Sequence, residues 1–174
     1  MKNNNNKSKG EKMKAVKYLI SLIIVIVMSV QIQAQNFKVL AEAGQGFRWQ
    51  SFDKPQIYTL STSLKTTYPF WEDKLQAGTT EMVVYYDTEV ELYAGALFRF
   101  KVYESSLKTI GEDFNVSLAG EALYGTSGRK LFGGGVMARI DPLSVSINAY
   151  QEYTLKELWI SGGVGYNLDY LFNK

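Results

Sequence analysis

Between Val90 and Val102 the sequence alternates without a break. The even positions are Val90, Leu92, Ala94, Ala96, Phe98, Phe100 and Val102. The odd positions are Glu91, Tyr93, Gly95, Leu97, Arg99, Lys101 and Tyr103. Alternate side chains of a β-strand point to opposite faces. One face of this segment is therefore wholly apolar, and the other gathers charges of both signs, glycine and tyrosine.

The same division recurs along the chain. Strand one, Asn36 to Trp49, sets Phe37, Val39, Ala41, Ala43, Phe47 and Trp49 against Lys38, Leu40, Glu42, Gly44, Gly46 and Arg48, with Gln45 the exception on the apolar face. Strand two, Gln56 to Thr67, sets Tyr58, Leu60, Thr62 and Leu64 against Ile57, Thr59, Ser61, Ser63 and Lys65. A loop from Tyr68 to Gly78 follows. Strand three, Thr79 to Tyr86, takes its register from the turn near Asp87-Thr88. An odd-numbered turn places Met82, Val84 and Tyr86 on the apolar side and Glu81 beside Glu91 on the polar side, which hides the charge. Glu104 to Gly111 is the one segment that could form a turn of helix. Strand five runs from Asp113 to Tyr124, strand six from Leu131 to Ile140, strand seven from Leu143 to Tyr150 and strand eight from Leu158 to Phe172. Gly125 to Lys130, Asp141-Pro142 and Thr154 to Glu157 supply turns. Gly133-Gly134-Gly135 lacks the Lys-Ser/Thr and the helix of a phosphate-binding loop, and reads as strand glycine.

The N-terminus has the order of a secretory signal peptide. Six lysines from Lys2 to Lys17 precede an uncharged apolar run, Tyr18 to Val30, and then Gln31-Ile32-Gln33-Ala34. A spanning helix needs about 20 apolar residues, so this run is short, and cleavage is expected after Ala34. Residues 1–34 are the expected leader, and residues 35–174 one barrel domain. Of 19 Lys+Arg and 17 Asp+Glu, six lysines and one glutamate lie in the leader, so residues 35–174 carry a net charge of −3. No basic patch remains to track nucleic acid. With Cys 0 and His 0 the chain needs no disulfide, offers no imidazole base to a nucleophile and has no ordinary ligand set for a metal. No cofactor is expected.

Alternation alone does not say which face points outward. A membrane barrel turns the apolar face to lipid; a soluble barrel turns it inward around a core or ligand. The apolar faces of strands four to eight carry no charge, as a lipid face demands. The opposing faces mix Gly, Ser, Asn and Tyr with charges of both signs, which suits a narrow interior where opposite charges pair. Trp49, Tyr58, Tyr124, Tyr153, Tyr166, Tyr170 and Phe172 fall near strand ends on the apolar face, where an interfacial girdle would sit.

With a leader, eight amphipathic strands and a last strand rich in outward aromatics, residues 36–174 resemble the small eight-stranded outer-membrane barrels of the OmpA/OmpX type. The resemblance implies an eight-stranded antiparallel up-and-down transmembrane β-barrel in a Gram-negative outer membrane. It also implies a terminal aromatic, whereas Asn173 and Lys174 follow Phe172 here, and long external loops, whereas the longest connection, Tyr68 to Gly78, falls on the periplasmic side. The expected interior charges are Glu42, Arg48, Glu91, Arg99, Lys101, Glu121 and Arg139. They are expected to form a salt-bridge network filling a barrel too narrow for a wide pore, the alternative being a narrow polar path or gate. The expected role is non-enzymatic, structural or interaction-bearing, with outer-membrane lipid and other envelope proteins as partners. The alternative is a secreted or periplasmic soluble barrel that binds an apolar ligand.

Overall fold

The computed structural model describes residues 37–50, 55–71, 73–87, 89–107 and 112–172. The expected leader, residues 1–34, and its cleavage point lie outside the described residues. Eight strands follow one another: β1 (Lys38–Trp49), β2 (Ile57–Phe70), β3 (Leu75–Tyr86), β4 (Glu89–Leu107), β5 (Glu112–Gly125), β6 (Lys130–Ile140), β7 (Leu143–Glu152) and β8 (Glu157–Asn167). A helical turn, α1 (Asp169–Phe172), comes last. Each strand is antiparallel to its sequence neighbours, and β1 pairs with β8, so the sheet closes on itself as the alternation implied.

The paired residues give the stagger of the barrel. A walk from Val39 passes Thr66, Thr79, Ala96, Ala122, Phe132, Gln151 and Leu158, and returns to β1 at Trp49, ten residues beyond its start. With about 3.3 Å per residue along a strand and about 4.8 Å between strands, that stagger tilts the eight strands by about 40°. The chain's two described ends and the β2–β3, β4–β5 and β6–β7 connections lie at one rim. The other four connections lie at the opposite rim, here called the far rim.

Burial follows the sequence alternation. Val90, Ile147 and Val164 are 61%, 69% and 60% exposed, while Leu97, Leu131 and Glu157 are fully buried. The apolar residues of most strands thus face outward and the polar ones face in. Toward the far rim the interior itself is apolar and aromatic: Met82, Val84, Tyr86, Tyr93, Leu123, Leu131, Tyr150 and Trp159 pack as one cluster. Toward the other rim it is small and polar, with Thr67, Asn115, Ser117, Ser144 and Ser146 buried.

Several sequence expectations are corrected. First, the β3–β4 connection holds two residues, an even number, because Tyr86 pairs with Glu89. Asp87 takes φ 52, as a tight hairpin turn requires. Met82, Val84 and Tyr86 therefore face inward and Glu81 faces outward. The pattern misled because the interior beside β3 is as apolar as the exterior. Second, Tyr68 to Gly78 is not a loop. Phe70 pairs with Leu75, and Trp71 and Asp73 at φ 50 and φ 64 close a short turn between them. Third, β4 continues as strand through Leu107, where a helical turn was open, and a bulge between Lys101 and Tyr103 shifts its register. The bulge turns Tyr103 from the polar face to the exterior, where its ring meets Phe114 at 6.1 Å. Fourth, β8 ends at Asn167. The Asp169 carboxylate accepts the Val39 N–H at 3.0 Å, and Leu168 N–H donates to the Val39 carbonyl at 2.8 Å, which folds the chain end across β1. Tyr170 and Phe172 therefore belong to α1 and not to a strand. The last hairpin turn is also one residue earlier than expected, since Glu157 pairs with Glu152 inside the ladder.

The native chain has no cysteine, which makes the β3 correction easy to check. Val83→Cys in the folded protein should react with a bulky maleimide, and Val84→Cys, at 2% exposure, should be protected until the barrel is unfolded. Equal labelling of both would put β3 in the wrong register.

Candidate functional site

Inward side chains from all eight strands converge on the interior, because a two-residue period repeated in every strand sends one set of residues to a common axis. Glu42, Arg48, Glu91, Arg99, Lys101, Glu121 and Arg139 all lie on this side. They fall into three levels.

Nearest the far rim, Glu91 is held by several donors. The hydroxyls of Tyr86 and Tyr93 donate to it at 2.8 Å and 2.9 Å, the Ser127 hydroxyl donates to its other oxygen, and the Arg129 guanidinium lies 3.6 Å away. Opposite, Arg48 lies 3.2 Å from Glu157, which also accepts from Trp159 Nε1 at 3.2 Å and from Gln50 at 2.8 Å. The Arg48 guanidinium sits 4.4 Å from the Tyr86 ring centre, so one tyrosine joins the two ion pairs. Gly125 makes the room: a Cβ there would come within 2.5 Å of the Glu91 carboxylate.

At mid-height Lys65 lies between two carboxylates, 3.3 Å from Glu42 and 3.2 Å from Glu121. Tyr150 donates to Glu121 at 2.9 Å. Here too a glycine gives space, since a Cβ on Gly163 would stand 2.8 Å from Glu42 Oε1. Arg99 is different. Its guanidinium donates to the Gln76 amide oxygen at 3.4 Å, and among the described residues no carboxylate lies within 4.0 Å of it.

At the rim that holds the chain's ends, Lys38 is 2.6 Å from Asp73, Lys101 is 2.8 Å from Glu104, and Arg139 is 3.2 Å from Asp141. Asp73 lies in the β2–β3 turn. Burial alone would raise its carboxyl, but the hydrogen bond and charge of Lys38, with Lys101 and Arg139 beyond, hold it below the usual carboxylate range. Asp169 in α1 goes the other way: burial pushes it up, against the pull of the Val39 N–H, Lys38 and Arg139.

The sequence expectation omitted Lys65, Arg129, Glu152 and Glu157. Lys65 was visible on the polar face of strand two, and only the closure of the barrel brings it between Glu42 and Glu121. Glu157 falls in the turn that the sequence predicts over Thr154 to Glu157. Glu152 is fully buried and accepts the Thr154 N–H at 2.9 Å, which fastens the last hairpin turn. Among the described residues no three His, Cys, Asp or Glu side chains are grouped to hold a metal ion. The arrangement can pair charge and fill space. Every interior carboxylate described above already faces a cation, a phenol, an indole or a backbone N–H.

No protein-family model and no curated protein matches the chain. Several solved structures are similar to it in fold, three of them as follows. A chain from a de novo design of transmembrane β-barrels shares 13% identity, with 75% of this chain and 94% of that one covered and a TM-score of 0.48. Neisserial surface protein A shares 14% identity over 75% of this chain and 96% of its own, with a TM-score of 0.40. LpxR from Salmonella typhimurium shares 12% identity over 64% of this chain and 52% of its own, with a TM-score of 0.31.

Two outcomes follow from the levels. Lys65→Met leaves two buried carboxylates without their cation and should cost about 3–5 kcal/mol in urea unfolding; replacing Glu42 and Glu121 by Gln as well should recover most of it. Asp73, whose carboxyl is depressed on folding, adds stability that is present above its unfolded value of about 3.9 and is lost as pH falls through its lower folded value. Asp73→Asn should thus be less stable than the native chain at pH 7, and the two unfolding curves should converge well below pH 4.

Proposed function

We propose that this chain is an integral outer-membrane β-barrel with a non-enzymatic role, structural or interaction-bearing, exported by the leader in residues 1–34. The observation that carries the reading is the inverted arrangement of polarity. Away from strand ends, Glu81 is the one charged residue on the outward face of the described strands, while Arg48, Lys65, Glu91, Arg99, Glu121 and Arg139 are buried inside. A protein in water does the reverse. Strands of 10 residues and more, tilted by about 40°, rise about 25 Å, the height of the apolar band of an outer-membrane barrel. Phe47, Tyr58, Tyr85 and Tyr124 are exposed toward the far rim, and Tyr68, Phe70 and Tyr103 toward the other, where aromatic girdles belong.

The non-enzymatic part of the reading is supported by the interior. Its carboxylates are engaged with one another's counter-charges, and the aromatic cluster fills the far half. An apolar ligand has no place there, because the inward face that would line its pocket carries the ion pairs. Outer-membrane lipid is the first partner this exterior calls for, and other envelope proteins the second.

The test is extraction and gel mobility. The native protein should stay with membranes and migrate differently before and after boiling in SDS. Ala96→Arg puts a cation on the outward wall at mid-height, should cost about 2–4 kcal/mol, and should sharply lower the membrane-inserted, heat-modifiable fraction. A native protein found in the soluble fraction with no shift on boiling would overturn the reading.

A further inference from the structure

Glu81 is where the wall departs from the rule the rest of it obeys. It lies at the middle of β3, on the outward face, between Leu64 of β2 and Ala94 of β4. Its one hydrogen-bond partner among the described residues is the Thr79 hydroxyl, at 3.1 Å. At mid-wall the hydrocarbon offers no donor, and a headgroup lies half a membrane away. An ionisable group held there needs a protein partner.

The surroundings say what kind. On the exterior, Thr62 and Thr66 of β2 flank Leu64 on one side of Glu81, Thr79 precedes it on β3 itself, and Ala94 and Ala96 of β4 lie on the other side. Small side chains let two membrane-embedded walls approach closely, and hydroxyls supply the hydrogen bonds that hold them. No outward Lys or Arg stands in the described wall away from the strand ends, so no other face of the same chain has a cation to offer. The Glu81 patch itself carries both an acceptor and donors. A surface of that kind is self-complementary, which is the requirement for a two-fold contact.

We propose that the outward face of β2–β4 around Glu81 is a docking surface for a second copy of this chain within the bilayer. Each Glu81 carboxyl meets the threonine hydroxyls of the other copy across a two-fold axis. The inference rests on the membrane reading above.

The experiment uses the full mature barrel, one dye per chain, reconstituted at low density in phosphatidylcholine vesicles. Flotation with the vesicles and gel mobility before boiling report insertion. Stepwise photobleaching reports the number of copies. The native protein should float and bleach mainly in two steps. Glu81→Leu should float equally well, with dimer dissociation raised about tenfold, the scale of a lost hydrogen-bonded contact in lipid. Glu81→Gln, which keeps hydrogen-bonding capacity, should retain most of the association. Ile147→Ala, on β7 away from the patch, should leave it unchanged. A native protein that floats but bleaches in one step overturns the inference and leaves the membrane reading standing, as does a Glu81→Leu variant as dimeric as the native chain. A native protein that does not float overturns both.

Discussion

A strand that crosses hydrocarbon must find a partner for every backbone N–H and C=O, because no water is there to supply one. In this chain the demand is met by the pairing of β1 with β8, from Leu40 opposite Asn167 to Trp49 opposite Leu158. Much else follows from that closure. Eight strands leave an interior only wide enough for side chains. The ten-residue stagger needed to bring β1 back onto β8 sets the tilt, and the tilt sets the height of the wall. The chain end is bound into the same seam: Asp169 accepts from the N–H of Val39, at the start of β1.

A narrow interior lined by two-residue alternation must bury whatever charges the inward face carries. Buried ions are tolerable only when paired and hydrogen-bonded, and the pairing stabilises less than its contact distances suggest. The three levels of ion pairs therefore act mainly as filling, and it is incomplete filling: Arg99 Nε and Arg139 Nε are buried without a hydrogen-bond partner among the described residues. Lys65 neutralises two glutamates with one ammonium, and Tyr86 receives Arg48 on its ring while donating to Glu91 through its hydroxyl. The glycines belong to the same design. Gly125 and Gly163 stand where a methyl group would collide with a carboxylate, so the wall is thinned at the points where charge is seated.

The architecture was legible in the sequence because the two faces of most strands differ sharply in polarity. β4 up to Lys101, β6 and β7 follow the alternation residue by residue. Legibility failed where that contrast vanished. The inward face of β3 packs into an aromatic half-core, so Met82, Val84 and Tyr86 have the composition of an outward face, and a register that hides Glu81 matches the pattern. It failed again at single-residue events: the bulge after Lys101 that turns Tyr103 outward, the two-residue hairpin at Asp87, and the sharp turn that replaces the Tyr68 to Gly78 loop. None of these leaves a periodic signature. Interior partners were a third kind of loss. Lys65 and Glu121 lie on strands that are not neighbours, and only the curvature of the closed wall brings them to 3.2 Å.

The connections between strands have a consequence for how the molecule meets the rest of the cell. From Trp49 to Ile57 is the longest span outside the ladder, and Tyr86 to Glu89 and Ile140 to Leu143 are hairpins of minimal length. Among the described residues the two rims therefore carry almost no protruding chain. To a protease or an antibody approaching through water, the described residues offer little to grip, since nearly all of them are either in the wall or behind it. Variation that would alter recognition from outside has scarcely any loop in which to accumulate. Among the described residues, natural selection would act chiefly on the wall itself and on the side chains it encloses.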